Sequence, residues 1–351
     1  MRLCFCLAFY LAIATAQLRE KQAKIDRKDG VKHRHSDKGP DVLKGTEHID
    51  VPVKIAPIFE RRLYPNYGEE AEDHQLPQFV NDFSAGLQLK QPIIYLGKQY
   101  SEIYVLSNGG LTFDKRIPPF TRRVLDLDQP IIAPYWTRND LSRGGRVYYR
   151  EELYDRQMLQ RGEAEIRFHF NVSTSVRSAF IATWQDMQPR LKHGRIIKRD
   201  NWNKIQAVLL NTDAGTFANF IYANIGWGAR AQGGFSDGVK GSWPIPGMGT
   251  QYPMVHGNTG VPGEWMFMVH KEDGIVYCRQ GYSGDLCEDR CGVGAYGYDC
   301  SKSCECGERL CEAVTGRCLT EEEEAAEQID WTAIIGPINR RRRRNAPLFY
   351  Y

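Results

Sequence analysis

Eight of the ten cysteines in this 351-residue chain fall within residues 278–318, where they form its densest group of reactive side chains. Thiols at this density either pair as disulfides or ligate a metal such as zinc. No ligand-spaced histidines accompany the block, which argues against zinc. The eight residues are Cys278, Cys287, Cys291, Cys300, Cys304, Cys306, Cys311 and Cys318.

The N-terminus predicts an oxidising destination for these thiols. Met1 and Arg2 give a short basic start, residues 3–13 are mainly apolar, and Ala14-Thr15-Ala16 supplies small residues for cleavage. This pattern is typical of a secretory signal peptide over residues 1–16. Its apolar run is too short for a transmembrane helix, which needs about 20 residues, and we expect no later transmembrane segment. We therefore expect a secreted chain with disulfides and without a metal or cofactor.

The cysteine-rich segment, residues 275–320, is expected to be a small module that depends on its bridges. A segment this short buries too little surface to fold unaided, and each disulfide stabilises it by about 2–4 kcal/mol. Gly281 and Gly294 lie inside the two eight-residue cysteine gaps, where they permit tight turns. Spacing alone leaves about 105 pairings open.

Residues 234–238 match the Gly-x-Ser-x-Gly pattern of a hydrolase nucleophile, with Ser236 at its centre. That motif requires a strand before the serine and a helix after it. Gly233 precedes the motif, and Pro244 follows soon after it, which would break a helix. We therefore expect an ordinary loop, and a secreted hydrolase is the weakest functional alternative.

Asn171-Val172-Ser173 is an acceptor sequence for N-glycosylation. It directly follows a segment, residues 164–170, that we predict to be a strand. Asn171 is therefore expected at an exposed strand end, where a glycan can be attached.

The C-terminal segment, residues 321–351, is predicted to be a disordered charged tail with an acidic run and then five arginines at 340–344. We favour processing by a furin-type protease, with Arg341 and Arg344 as its basic residues. The arginines could instead bind heparan sulfate, or form a solvated tail that pairs loosely with the acidic residues 321–324.

The overall charge is nearly balanced, at a formal +3, which gives no sign of nucleic-acid binding. Residues 17–62 are rich in charged residues and glycine and poor in aromatics, so we predict disorder there. In contrast, 42% of the whole chain is hydrophobic and 11% aromatic, which is enough for a real core.

Residues 63–272 alternate short β-prone runs with turn residues, which predicts one mainly β, antiparallel, sandwich-like domain. Asn108-Gly109 is a strong hairpin signal, and residues 151–162 could be helical. Ile166, Phe168 and Phe170 alternate as in a half-buried strand. The predicted strands are residues 93–96, 103–106, 147–149, 164–170, 179–184, 205–210, 220–222 and 265–269.

Several of these segments, in order, resemble the NIDO domain, the nidogen-type extracellular module also found in α-tectorin. The matching segments are residues 103–113, 130–136, 145–151, 182–184, 203–209, 220–227, 231–235 and Gly238. Where family members usually have an Asp-rich stretch, this chain has Thr137-Arg138-Asn139-Asp140, which puts in doubt any metal or partner role of that stretch. The resemblance implies matrix or cell-surface interaction and no catalysis. We expect Trp136, Trp184 and Trp227 to fill the core between sheets.

The cysteine block resembles EGF-like modules of the laminin and multiple-EGF type. That resemblance implies the pairs Cys278–Cys287, Cys291–Cys300, Cys304–Cys311 and Cys306–Cys318. The Asp-x-Asp/Asn-Glu pattern that usually opens a calcium-binding EGF module does not precede the cysteine block. We therefore expect no EGF-type calcium site.

Together these features predict a secreted, non-enzymatic matrix or cell–matrix adhesion protein that binds extracellular matrix or cell-surface proteins. The main alternative is a diffusible ligand or accessory factor, released by processing at residues 340–344.

Overall fold

The computed structural model describes residues 63–65, 68, 71, 73–115, 120–190, 202–228, 230–239, 241–307 and 309–327. These described residues all lie in one compact unit of the chain. The predicted signal peptide, the predicted disordered segment 17–62 and residues 328–351 lie outside the described residues.

Two six-stranded sheets, antiparallel in every pairing, form the main body and confirm the predicted mainly β class. The first sheet, in spatial order, contains β1 (His74–Gln75), β6 (Arg146–Glu152), β7 (Val176–Met187), β8 (Asn203–Thr212), β9 (Gly215–Ile225) and β12 (Glu264–Met268). The second contains β11 (Ser242–Pro244), β10 (Gln232–Ser236), β5 (Ile131–Trp136), β4 (Gly110–Thr112), β3 (Lys98–Leu106) and β2 (Ser84–Tyr95). Two short hairpins follow, β13 (Tyr282–Ser283) with β14 (Asp289–Arg290) and β15 (Ala295–Tyr296) with β16 (Lys302–Ser303).

The main hydrophobic core lies between the two sheets. Phe220 of β9 stacks on Phe235 of β10 with ring centroids 5.4 Å apart, and Phe267 of β12 meets Phe235 edge-on at 4.9 Å. The Trp184 indole N–H donates across the sandwich to the carbonyl of Leu106 at 2.9 Å. Buried aromatic rings remove large apolar areas from water, and their polar atoms find partners, so this layer holds the sheets face to face.

Seven of the eight predicted strands lie in or overlap the observed strands. The Asn108-Gly109 turn joins β3 to β4, as the hairpin signal predicts, and Gly109 has a φ of +93°. A Cβ at Gly109 would lie 2.1 Å from the Tyr135 carbonyl oxygen. Only glycine therefore fits this turn.

The eighth strand prediction is wrong, because residues 164–170 belong to helix α1 (Arg156–Phe170). Met158, Gly162 and Ile166 are buried at a spacing of four residues, which is the period of a helix packed on one face. The alternation of Ile166, Phe168 and Phe170 does not mark the buried face of a strand, because Phe168 is 69% exposed. The Asp155 carboxylate caps the helix by accepting the N–H of Met158 at 3.0 Å.

Helix α1 covers the outer face of the first sheet. Met158, Ile166 and Phe170 join a second hydrophobic cluster with residues of the strands beneath, among them Phe217. At Gly162 the helix and sheet approach so closely that a Cβ would lie 2.8 Å from a methyl of Leu210. The central strands are buried almost throughout because both faces of this sheet are covered.

The tryptophan prediction holds for one of three residues. Trp184 lies in the core between the sheets. Trp136 is buried but belongs to a separate cluster with Val124 and Ile131. Trp227 is only half-buried and follows β9, where its indole N–H donates to the Met187 carbonyl at 2.8 Å. Trp265, on β12, is fully buried in the core.

Two further helices are short, α2 (Tyr252–Val255) and α3 (Glu321–Glu327). Helix α3 occupies the first seven residues of the predicted disordered tail, and the rest of that tail is not described. Within the described part of the chain, no helix is both long and apolar enough to cross a membrane.

Candidate interaction surface

Four disulfides hold the segment that follows the sandwich, and we call residues 278–320 the disulfide module. They are Cys278–Cys287, Cys291–Cys300, Cys304–Cys311 and Cys306–Cys318. These are the four pairs that the EGF-like resemblance implies. The paired cysteines are 7 to 12 positions apart. The first two bridges follow one another along the chain, whereas the last two interleave, because Cys306 lies between Cys304 and Cys311.

The disulfide loops pack on one another through their backbones. The N–H of Gly281, in the first loop, donates to the Gly297 carbonyl in the second at 2.9 Å. The N–H of Gly297 donates in turn to the Ala313 carbonyl in the last part of the module, also at 2.9 Å. Gly281 and Gly297 both have a φ of +86°, a region that favours glycine. The module is therefore a continuous stack rather than separate loops.

Asp299 joins the disulfide module to the sandwich. Its carboxylate accepts the backbone N–H of Tyr277 at 3.0 Å and that of Cys278 at 2.6 Å. Burial raises the pKa of Asp299, although these two N–H groups favour its ionised form. A carboxylate from the second loop thus holds the connection that enters the first.

Tyr277, just before the first cysteine, makes most of the contacts between this connection and the sandwich. Its ring meets Phe267 edge-on at 5.1 Å, and its hydroxyl donates to the Pro244 carbonyl at 3.1 Å. Its own carbonyl accepts the Asn258 amide at 2.9 Å and lies 2.9 Å from His169 Nε2. We call the contacts of Tyr277, Asp299, His169 and Asn258 the junction.

His169 belongs to α1, so the junction also reaches the helix on the outer face. The Tyr277 carbonyl can only accept, which assigns the proton of the neutral imidazole to Nε2. Burial lowers the pKa of His169 to about 4, so this imidazole is neutral at physiological pH. No local pattern in the sequence indicates this role of His169, because its partner lies 108 residues away.

Helix α3 folds back onto the disulfide module. Thr320 and Glu323 form a capping box, since the Thr320 N–H donates to the Glu323 carboxylate and the Glu323 N–H donates to the Thr320 hydroxyl. Arg317 contacts both oxygens of Glu323 at 2.9 and 3.1 Å. Arg317 lowers the pKa of Glu323 to about 2. Glu323 of the acidic run therefore pairs with Arg317 of the module. Its predicted loose pairing with residues 340–344 stays a prediction, because those arginines lie outside the described residues.

Asn171 is exposed at the C-terminal end of α1 rather than at the end of a strand. Its φ of 57° is left-handed, a conformation that asparagine tolerates better than most residues. Ser173, which completes the acceptor sequence, is exposed as well. The side chain is thus accessible, and glycosylation of Asn171 stays a prediction.

Ser236 lies in the last position of β10 and is 2% exposed. Its hydroxyl accepts the N–H of Gly238 in a turn that leads into β11. The described residues directly after Ser236 therefore do not form the helix that a nucleophile elbow requires. Likewise, no group of three or more His, Cys, Asp or Glu side chains in the described residues is placed to hold a metal ion.

The structure therefore brings the eight cysteines into one module and locates Asn171 at the exposed C-terminal end of α1. Arg341 and Arg344 lie outside the described residues, so their processing stays a prediction. The junction residues were missed because none of them carries a local motif. The one usable signal was Asp299 beside Cys300, in a cysteine gap otherwise dominated by glycine and tyrosine.

Comparison with known proteins agrees with this architecture. The family model of the nidogen-like domain matches residues 101–271. The chain is 38% identical over 320 residues to dendrite extension defective protein 1 of Caenorhabditis elegans, covering 89% of this chain and 27% of that protein. It is 29% identical to nidogen of Drosophila melanogaster, covering 56% of this chain and 16% of that protein.

Mouse alpha-tectorin is 30% identical over 234 residues, which cover 59% of this chain and 10% of that protein. The chain thus spans about a quarter or less of the length of these relatives. No solved structure matches the chain. The chain belongs to the proteins that carry a nidogen-like (NIDO) domain and is related to nidogen and alpha-tectorin.

Proposed function

We propose that this chain is a secreted extracellular matrix protein that attaches to other matrix or cell-surface proteins and performs no catalysis. Its nidogen-like sandwich supplies the binding surface, and its disulfide module acts as a stiff EGF-like spacer. The proposed boundaries are residues 1–16 for the signal peptide, 63–272 for the sandwich and 275–320 for the EGF-like cysteine-rich segment, which contains the disulfide module.

The observation that carries this proposal is the junction between a nidogen-like domain and a disulfide-bonded module. A connection that is hydrogen-bonded from Asp299, His169 and Asn258 resists bending. It therefore transmits force between the two parts, as an attachment protein requires. Dendrite extension defective protein 1 is named for a defect in dendrite extension. Attachment of an extending cell process to matrix would be one example of the proposed function.

Matrix deposition tests the proposal. Cells expressing the full chain should secrete it and retain most of it in the layer that stays on the dish after detergent extraction. The matched control is Asp299→Ala, which should be secreted but retained less because the spacer is no longer held to the sandwich. Recovery of the wild-type chain only in the medium would contradict attachment to matrix.

The arginine run supports a second candidate, a diffusible factor released by processing. Cleavage after Arg344 should give a secreted fragment whose N-terminus is Asn345, and an Arg344→Ala chain should lack it. The absence of that end from the secreted products would remove this candidate. Release of the uncleaved chain from the cell layer by heparinase would instead favour heparan sulfate as the ligand of the arginines.

A further inference from the structure

A cleft opens between α1, β9, β12 and the loop before β12, on the outer face of the first sheet. Its volume is about 230 Å³, which is below the range of drug-sized ligand sites and suits a single small group. Its walls are mainly apolar, from Ala164, Val261 and Met266, with the exposed Phe168 ring at the same opening. Its polar residues are Glu165, Asn219 and Glu264, together with Thr259.

Asn219 lines this cleft, and its amide oxygen accepts no hydrogen bond from the described residues. Asn219 is 1% exposed, and its Oδ1 is without a hydrogen-bond donor among the described residues. Its orientation is set by its amide nitrogen, which donates to Glu165 Oε2 at 3.0 Å. A buried acceptor without a donor costs about 1–3 kcal/mol, so the cleft favours a ligand that brings a donor.

The charge of the cleft specifies the kind of donor. Glu165 is fully engaged, because it accepts from the Tyr64 hydroxyl at 2.7 Å and from Arg161 at 2.6 Å as well as from Asn219. Glu264 has Arg161 only at 3.6 Å, the distance of an ion pair rather than of a hydrogen bond. Among the described side chains here, two carboxyl groups thus share one guanidinium, which favours a cationic ligand.

We propose that this cleft binds an alkylammonium group, whose methylenes contact the apolar walls while the ammonium donates to Asn219 Oδ1 and Glu264. The Phe168 ring at the rim adds an aromatic face, which attracts ammonium groups. A calcium ion fits poorly, because it needs six to eight oxygen ligands at about 2.3–2.6 Å and the Glu165 oxygens are already occupied.

The affinity of the cleft for an ammonium group should depend on pH through Glu264. Burial and the neighbouring Glu165 raise the pKa of Glu264 to about 7, against the opposing effect of Arg161. Tyr64 is the other titratable group beside them, and burial raises its pKa well above 10, so it stays neutral. Glu264 therefore gains its charge between pH 6 and 8, and ammonium binding should strengthen over this interval.

The test is a titration of the secreted full chain, labelled with ¹³C at the methionine methyls, with n-pentylammonium, n-pentanol and pentanoate. At pH 8, pentylammonium should shift the Met266 methyl and bind at least about tenfold more tightly than pentanol. Pentanoate should not bind. Affinity for pentylammonium should fall at pH 6, whereas affinity for pentanol should not change.

Glu264→Gln should lose about tenfold in pentylammonium affinity and none for pentanol, whereas Glu102→Gln, at a partly exposed carboxyl on β3, should change neither. If Glu264→Gln does not fold, the wild-type pH dependence decides. Pentanol binding as tightly as pentylammonium, or an affinity for pentylammonium that does not vary with pH, would overturn the proposal.

A lysine with blocked backbone ends distinguishes the two sources of an alkylammonium group. If it binds as tightly as pentylammonium, the ligand is a lysine of a protein. If only free amines bind, the ligand is a small amine. These measurements do not depend on matrix deposition, so the cleft and the proposed attachment function succeed or fail separately.

Discussion

The Asp299 carboxylate accepts the backbone N–H of Cys278 at 2.6 Å, across 21 residues of sequence. This contact ties the second disulfide loop to the residue at which the first loop begins. Asp299 also accepts the N–H of Tyr277, whose side chain packs on the sandwich. One carboxylate thus couples the two parts of the molecule.

Replacing Asp299 by Ala should loosen the junction without unfolding the sandwich. Two partly buried N–H groups lose their acceptor, at up to about 3 kcal/mol each. Hydrogen exchange should therefore accelerate at Tyr277 and Cys278 by tenfold or more, as measured by mass spectrometry of peptides spanning them.

Two further variants control the Asp299 experiment. Asp299→Asn keeps one accepting oxygen and tolerates the φ of 53°, so its effect should be intermediate. Asp289→Ala, at an exposed site of the same module, should leave exchange unchanged. Unaltered protection of Cys278 in Asp299→Ala would show that the carboxylate does not hold the junction.

The four disulfides should stabilise the module and leave the sandwich independent of them. Changing both Cys278 and Cys287 to Ser should destabilise the module by about 2–4 kcal/mol. Tryptophan fluorescence should report nearly the same unfolding of the sandwich, because Trp184 and Trp265 lie in the core between the sheets, to which no cysteine contributes. Mass spectrometry of non-reduced peptides should recover the four pairs, and a peptide linking Cys304 to Cys306 would contradict them.

The neutral His169 should make stability depend on pH. Its pKa is lowered to about 4 in the folded chain, whereas an unfolded histidine titrates near 6.5. The unfolded state therefore binds more protons between these values, and stability falls as pH drops from 6.5 to 4. The full loss from this group is about 3 kcal/mol.

His169→Gln should remove this loss, because glutamine can donate to the Tyr277 carbonyl without titrating. The comparison should be made between variants, since Glu264 contributes with the opposite sign. Its raised pKa of about 7 makes the folded state more stable as pH falls below 7. Urea unfolding at pH 7 and pH 4.5 measures both slopes. An identical pH slope in wild type and His169→Gln would show that the imidazole is not buried neutral.

Glycosylation at Asn171 should be abolished by Ser173→Ala, which keeps the asparagine in its left-handed position. Secreted wild-type chain should lose mass on treatment with a glycosidase, and the variant should not. Asn171→Gln should abolish the glycan too, but it should also lower stability because glutamine tolerates a φ of 57° less well. A mass loss that persists in Ser173→Ala would disprove modification at this site.

Helix α1 shows where local pattern was insufficient. Ile166, Phe168 and Phe170 alternate as in a strand, but Met158, Gly162 and Ile166 also repeat at four residues. Both periods were present in the sequence. The helical one prevailed because a sheet lay beneath it, with Gly162 allowing the close approach to Leu210.

By itself, the sequence determined the mainly β class, most of the strands, the Asn108-Gly109 hairpin and the module's eight cysteines. These features depend on residue type and on spacing over a few positions, so they can be predicted from the sequence. Tertiary structure alone decided which distant groups meet, namely Asp299 with Tyr277, His169 with Tyr277, and Asn219 with Glu165. Such contacts arise from the packing of separate strands, helices and loops, and burial then shifts the pKa values of His169 and Glu264 in ways that no local pattern records.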